Sequence, residues 1–355
     1  MADSRQHRAR ERIERICASP LDERSMRSAI LVEIGRVVDF DAYVWLLTDP
    51  ASTVGCAPLA DVPCLPRLPE LIRLKYLTTT NRWTALIGRA PPVGLLNPVL
   101  SGSLMWREML RDFDIVDIVS VVFADRYGCW GFLDLWLAGD KPPYDASAVG
   151  ILNDISMPVC AAIRRHQAAT FLGAARQPAP GSGPAVLILN DDLAVTGRTT
   201  AASQWLRSLL PTEPGAAPIP AAAYNVAAQL LAAEAGVDDH PASARAFVPG
   251  GGWVTLRASR LDHASAPDGG SIAVSIEETG AGARLDLFGR SHGLSAREQQ
   301  LLRLLSRGAD TQDIAEEMTI SEYTVQDHLK SIFSKTSLTS RNAVLTAALG
   351  PGTTG

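Results

Sequence analysis

The sequence predicts a multidomain protein: two α+β domains in series, then a short all-α domain of four helices. Two stretches rich in Pro or Gly, Arg176–Pro184 and Glu278–Ala283, interrupt the chain. Before each of them helical and β-type hydrophobic periods alternate, and after the second only the helical period remains. A length of 355 residues fits roughly two to three domains. The predicted domains span 1–175, 184–280 and 291–350, with linkers at 176–183 and 281–290.

In the first domain, Leu21, Ile30, Leu31, Ile34, Val37 and Val38 recur at helical spacing, and the aromatic, β-branched run from Asp41 to Leu47 reads as a strand. Helical patterns follow over 67–77 and 103–112. The runs Ile115–Phe123 and Trp130–Leu137 are adjacent strands turning at Asp125-Arg-Tyr-Gly128. A long helix from Asp145 to about Phe171 closes the domain, with Val149, Leu152, Ile155, Val159, Ile163 and His166 along one face.

The second domain opens on the strand Ala185–Leu189 and the turn Asn190-Asp191-Asp192. A short strand at 194–196, a helix holding Ala201, Ala202, Trp205 and Leu206, and an alanine-rich helix between Pro218 and Gly236 follow. Strands near 244–248, 253–261 and 271–277 end it; Trp253, Thr255, Arg257 and Ser259 alternate with Val254, Leu256, Ala258 and Arg260.

The last segment carries the most chemistry. Ser295-Ala-Arg-Glu298 has the form of a capping box, and Gly308 supplies the left-handed residue that ends the helix. Asp310 caps a second helix with Ile314, Ala315 and Met318 inward. After the tight turn Thr319-Ile320, Ser321 caps a third, whose Val325, Leu329, Ile332 and Phe333 form one apolar stripe. Ser340 caps a fourth bearing Ala343, Val344, Ala347 and Ala348. Such short helices must share one core, and the tight joint between the second and third is that of a helix-turn-helix. With its stripe inward, the third helix turns Glu322, Tyr323, Gln326, Asp327 and Lys330 outward, polar groups able to read base edges.

Leu294-Ser-Ala-Arg-Glu-Gln-Gln-Leu-Leu-Arg-Leu-Leu, Gly308, Ile314-Ala315, Ile320-Ser321, Thr324-Val325, His328-Leu329, Ile332, Lys335 and Arg341 together resemble the LuxR-type (GerE-type) helix-turn-helix. The resemblance implies that the third helix enters the major groove, with Gln326, Asp327 and Lys330 where base contacts are made. It places Thr324, Lys335, Thr311, Gln312 and Tyr323 where phosphates are held, and it implies a dimer formed through the fourth helix, about 341–349. Gln326 stands where the family often has lysine. From Ser291 to Leu349 six basic residues face seven acidic ones, so one copy neutralises few phosphates and binding needs a dimer.

The order of elements over 21–171 resembles a GAF domain and that over 184–279 a PAS domain. A GAF–PAS–LuxR order implies a cytoplasmic, homodimeric, one-component transcription regulator. Its partners would be double-stranded DNA, a second copy, RNA polymerase and a small apolar ligand in the N-terminal domain. Five of the seven tryptophans lie in that domain; Trp83 and Trp106 fall in the insert between strands, where a ligand cavity is expected to open.

Other classes find less support. The net charge of −5 does not suggest an all-over polyanion binder, and no run approaches the ~18 uninterrupted apolar residues of a membrane span. The charged N-terminus lacks the form of a secretory signal. The five cysteines include no C-x-x-C pair, and Cys56 and Cys64 have no neighbouring histidine to complete a metal site. The pairs Asp191-Asp192 and Asp238-Asp239 read as turn chemistry. No P-loop and no nucleophile motif occurs, so neither an enzyme nor a metal or cofactor is expected. Two alternatives stay open: a redox sensor holding haem, flavin or metal with the helix-turn-helix as output, and a protein-interaction hub without a small-molecule ligand.

Overall fold

The computed structural model describes residues 2–97, 102–173, 183–210, 218–249, 252–261 and 270–350. The chain forms two compact units, Met1–Ile163 with Ala179–Glu277, and Arg164–Pro178 with Glu278–Gly355.

In the first unit, α1 (Ala2–Cys17) and α2 (Glu23–Ile34) precede β1 (Ala42–Thr48) and β2 (Gly55–Asp61). After α3 (Leu68–Leu77) and the single turn α4 (Trp83–Leu86) come β3 (Val93–Leu95), α5 (Leu104–Glu108), β4 (Ile115–Asp125), β5 (Gly128–Ala138) and α6 (Ala146–Ala169). The five strands form an antiparallel sheet in the order β2-β1-β5-β4-β3. The β4–β5 hairpin turns where the sequence places it: Asp125 Oδ1 accepts the Tyr127 N–H at 2.8 Å, and a Cβ at Gly128 would lie 2.4 Å from the Pro50 carbonyl oxygen.

One face of this sheet packs Trp45, Phe123, Trp130 and Leu133 against Ile13 of α1, Met26 and Ile30 of α2, and Ile151, Ile155 and Val159 of α6. By length and composition alone α6 could cross a membrane, but these contacts make it a core helix. The expected helix over 21–38 is shorter: Asp22 caps it by accepting the Ser25 N–H at 3.0 Å, and it ends at Ile34. The expected helix over 103–112 divides into α5 and a 3-10 turn, Leu110–Phe113.

The second sheet follows the same plan. Strands β6 (Ala185–Leu189), β7 (Val195–Arg198), β8 (Ser243–Val248), β9 (Gly252–Arg260) and β10 (Ile272–Glu278) take the order β7-β6-β10-β9-β8, with α7 (Thr200–Leu209) and α8 (Ala221–Glu234) between β7 and β8. One apolar cluster runs through both halves of the unit, from Leu46, Tyr76, Trp83 and Phe132 to Ala223, Val226, Val254 and Val274. Two buried ion pairs join the halves: Asp49 with Arg245 at 2.6 Å and Arg82 with Asp238 at 2.9 Å.

The second unit holds α9 (Ala281–Ser291), α10 (Ala296–Ser306), α11 (Thr311–Met318), α12 (Glu322–Thr336) and α13 (Arg341–Leu349). Residues 281–290 are therefore not a linker. Leu285, Leu287 and Phe288 are buried, and Phe288 meets the edge of Phe171 at 5.4 Å between ring centroids. Of the glycines that suggested a break, Gly280 caps α9; further along, Gly289 leaves room for Gln299, 2.9 Å from where a Cβ would stand. Of the other expected linker, 176–182 lie outside the described residues.

Candidate nucleic-acid interface

Local chemistry positions each helix of the C-terminal bundle. At α10, Ser295 Oγ accepts the Glu298 N–H at 3.3 Å while Glu298 Oε2 accepts the Ser295 N–H at 2.6 Å. A second capping box, Asp310 with Asp313, starts α11. Gly308 (φ +85°) ends α10 as the sequence indicates, whereas the left-handed residue after α11 is a non-glycine, Thr319, at φ 54°. Thr319 and Ile320 make the joint, and Ser321 Oγ accepts the Thr324 N–H at 3.2 Å to start α12.

The joint leaves α12 with two unlike edges. Val325, Leu329 and Ile332 are buried. Opposite them Glu322, Tyr323, Gln326, Asp327 and Lys330 are exposed, Tyr323 by 73%. Lys330 Nζ lies 3.1 Å from Asp327 Oδ1, and this hydrogen bond holds the ammonium above its ordinary pKa. Both side chains are solvated, so the pair contributes little to stability. Its consequence is electrostatic: the cation at the centre of the outward edge carries its own counter-charge.

The remaining expected contacts are distributed unevenly. Thr324 is half-buried, and its hydroxyl hydrogen-bonds Ser321 Oγ at 2.9 Å. Thr311 accepts a hydrogen bond from Arg341 Nη2 at 2.7 Å, and Gln312 donates to Glu316 at 3.1 Å. These two open α11 beside the carboxylates of Asp310 and Asp313, an arrangement that opposes a phosphate at that terminus. Lys335 is committed elsewhere, with Nζ 2.6 Å from the buried carboxylate of Glu298. Burial pushes Glu298 upward, but hydrogen bonds from Lys335, Ser331 and the Ser295 N–H outweigh it and bring its pKa down to about 2. The sequence identifies Glu298 as a cap; its second task, anchoring α12, depends on a contact with residues more than thirty positions away.

On α13, Val344 and Ala348 are buried while Asn342 and Thr346 face solvent. Arg284 of α9 donates to the carbonyls of Ala347 and Ala348 at 3.4 and 3.2 Å, satisfying the end of the helix.

In the first unit Trp83 and Trp106 are placed differently from expectation. Trp83 is 1% exposed, stacks on Phe132 at 4.8 Å, and donates its Nε1–H to the Thr53 carbonyl at 3.0 Å. Trp106 is half-buried and donates to the Ile115 carbonyl at 2.9 Å. Neither lines the apolar cavity that opens nearer Trp136. The ring NH of each is used within the chain.

Burial pushes the thiol of Cys56 up to about 12 and those of Cys64 and Cys129 up to about 11, which keeps them protonated. Asp239 is fully exposed and Asp238 binds Arg82 and His240, yet the two carboxylates and the His240 ring lie within 4.8 Å of one another.

Residues 292–348 match the family model described as bacterial regulatory proteins, luxR family. No curated protein matches the chain. Two solved structures overlap it at 18% identity and a TM-score of 0.18. One is the Vibrio cholerae VqmA dimer, described as a LuxR-type receptor that shifts conformation in the absence of target DNA, and the other is VqmA bound to DPO. Each overlap covers 49% of this chain, and 85% and 89% of the respective VqmA chains. Overlaps this loose establish neither a shared fold nor a shared ligand. The family match and the bundle's geometry agree: residues 292–348 form a helix-turn-helix domain of the LuxR type.

Proposed function

We propose that the chain is a one-component transcription regulator. A pair of C-terminal helix-turn-helix domains reads double-stranded DNA, and the upstream unit, GAF-like then PAS-like, senses a small ligand or a partner. The observation that carries this is the split character of α12, with Val325, Leu329 and Ile332 buried and Gln326, Asp327 and Lys330 exposed along the other edge. A glutamine amide can pair with adenine in both directions, a lysine donates to guanine O6 and N7, and a carboxylate accepts from cytosine N4. Thr324 and Tyr323 flank this edge at the start of α12, where free N–H groups suit a phosphate.

The domain is poor in net positive charge, and two of its six cations, Lys330 and Lys335, are already paired. Weak phosphate neutralisation favours binding as a homodimer, with α13 as the pairing helix. Two five-stranded antiparallel sheets with one strand order support two related sensor domains upstream. Burial raises the thiols of the half-buried Cys56 and the buried Cys64 and Cys129, which disfavours a thiol redox sensor.

Footprinting of the full chain on genomic duplexes at moderate salt tests the proposal. Protection of two half-sites separated by one or more turns of about 10–10.5 bp is expected. Absence of protection at every salt concentration down to the lowest usable one contradicts it.

A further inference from the structure

The first unit contains a cavity of about 180 Å³ that neither candidate tryptophan lines. Its walls are largely apolar, including Val44, Leu46, Leu68, Leu71 and Phe132 from the first half of the unit and Ala221 from α8 in the second. Two further wall residues, Trp136 and Asn225, are each 1% exposed. Among the described residues the Trp136 Nε1–H and both amide atoms of Asn225 have no hydrogen-bond partner. Buried polar groups without partners are rare because each costs desolvation energy. Here three such atoms belong to side chains lining one cavity.

From this geometry we infer that the cavity binds a small uncharged molecule with an apolar body and one amide-type edge. A primary carboxamide such as Asn225 presents a donor and an acceptor side by side, which a second amide matches in reverse. The Trp136 Nε1–H offers a further donor to a carbonyl oxygen. The charged groups of the wall do not call for an ionic ligand: Lys75 Nζ is 2.6 Å from Asp134 Oδ2, and Asp134 Oδ1 accepts from Ser120 at 2.7 Å. The other charged lining residue, Arg24, is exposed to solvent. By comparison with a cavity of about 150 Å³ that holds benzene, the occupant has roughly six to ten non-hydrogen atoms.

This deepens the sensing role proposed above and rests on it for its purpose, though not for its chemistry. Because α8 supplies Asn225 and β5 supplies Trp136, an occupant would touch both halves of the unit at once.

Calorimetric titration of the full chain with benzamide, benzoate and ethylbenzene tests the site. Saturable binding of benzamide is expected, at least tenfold tighter than benzoate. Asn225→Leu, close in shape, should lose benzamide affinity tenfold or more while keeping ethylbenzene and melting no lower than the wild type. Trp136→Phe supplies an independent variant, with a smaller loss for benzamide and none for ethylbenzene. No saturable heat from the wild type, tighter binding of benzoate, or unchanged benzamide affinity in both variants overturns the inference. Benzamide binding that leaves the footprint unchanged supports the site and removes the sensing role instead.

Discussion

Lys335, near the end of α12, places its Nζ 2.6 Å from Oε2 of Glu298 in the first turn of α10. The same carboxylate receives Ser331 Oγ at 2.6 Å and the Ser295 N–H at 2.6 Å. One buried acid therefore caps the first helix of the domain and fixes the angle of the helix proposed to enter DNA.

That arrangement predicts an acid-sensitive domain. Glu298 titrates at about 2 when folded, against an ordinary value of 4.5. A lowered folded pKa gives stability that is fully present above about 4.5 and lost as pH falls toward 2, on the order of 2–3 kcal/mol. Glu298→Gln should therefore lower the melting temperature of the second unit at pH 7 and flatten its change between pH 5 and 2. Melting curves of both proteins across that range check this. Equal slopes would mean that other carboxylates dominate.

Lys335→Ala should act through the same anchor. Its expected signature is a lower melting temperature with the slope of log K against log salt unchanged, because its charge is already matched by Glu298. A slope less negative by about one would make it a phosphate contact.

Asp327 and Lys330 predict an opposite pair of changes. Asp327→Asn frees the ammonium and removes a charge facing the duplex, so affinity for arbitrary duplexes should rise and the salt slope steepen by about one. Lys330→Ala should cost about 1–3 kcal/mol on the preferred sequence and relax preference at one position. Anisotropy titrations at several salt concentrations distinguish these effects from a uniform loss.

The joint between the two sheets predicts a large loss in the first unit. Asp49 accepts from the N–H, Nε and Nη2 of Arg245 at 2.8, 2.6 and 2.7 Å, all buried. Asp49→Ala removes the buried carboxylate that this guanidinium binds and should cost about 3–5 kcal/mol, most of which a second change, Arg245→Leu, should recover. Denaturant unfolding followed by tryptophan fluorescence measures both. Trp83→Ala should cost a similar amount by opening a cavity beside Phe132, more than Trp106→Ala at its half-buried site.

The parts of this fold legible in the sequence are those written in neighbouring residues. Ser295 with Glu298, Asp310, Ser321 and Ser340 mark helix starts because a cap acts across three positions, and Val325, Leu329 and Ile332 mark a buried edge because a helix repeats every 3.6 residues. α1 is not legible in the sequence because arginines and glutamates surround its sparse inward stripe of Ala9, Ile13 and Cys17. β2 contains Pro58 and pairs only with β1, in an edge position that tolerates proline. Gly280 and Gly282 masked α9, whose apolar face is short. Nor could spacing reveal that Lys335 answers Glu298, that Asp49 answers Arg245, or that Asn225 and Trp136 share a cavity. Those are long-range pairings fixed by packing.

The central claim is that the exposed edge of α12 reads bases. Selection of bound duplexes from a random pool by the full chain, repeated with Gln326→Ala, tests it most directly. The account predicts a two-fold symmetric motif for the wild type and loss of preference at one position per half-site for the variant, with the other positions kept. No enriched motif, or the same motif in both proteins, would contradict it.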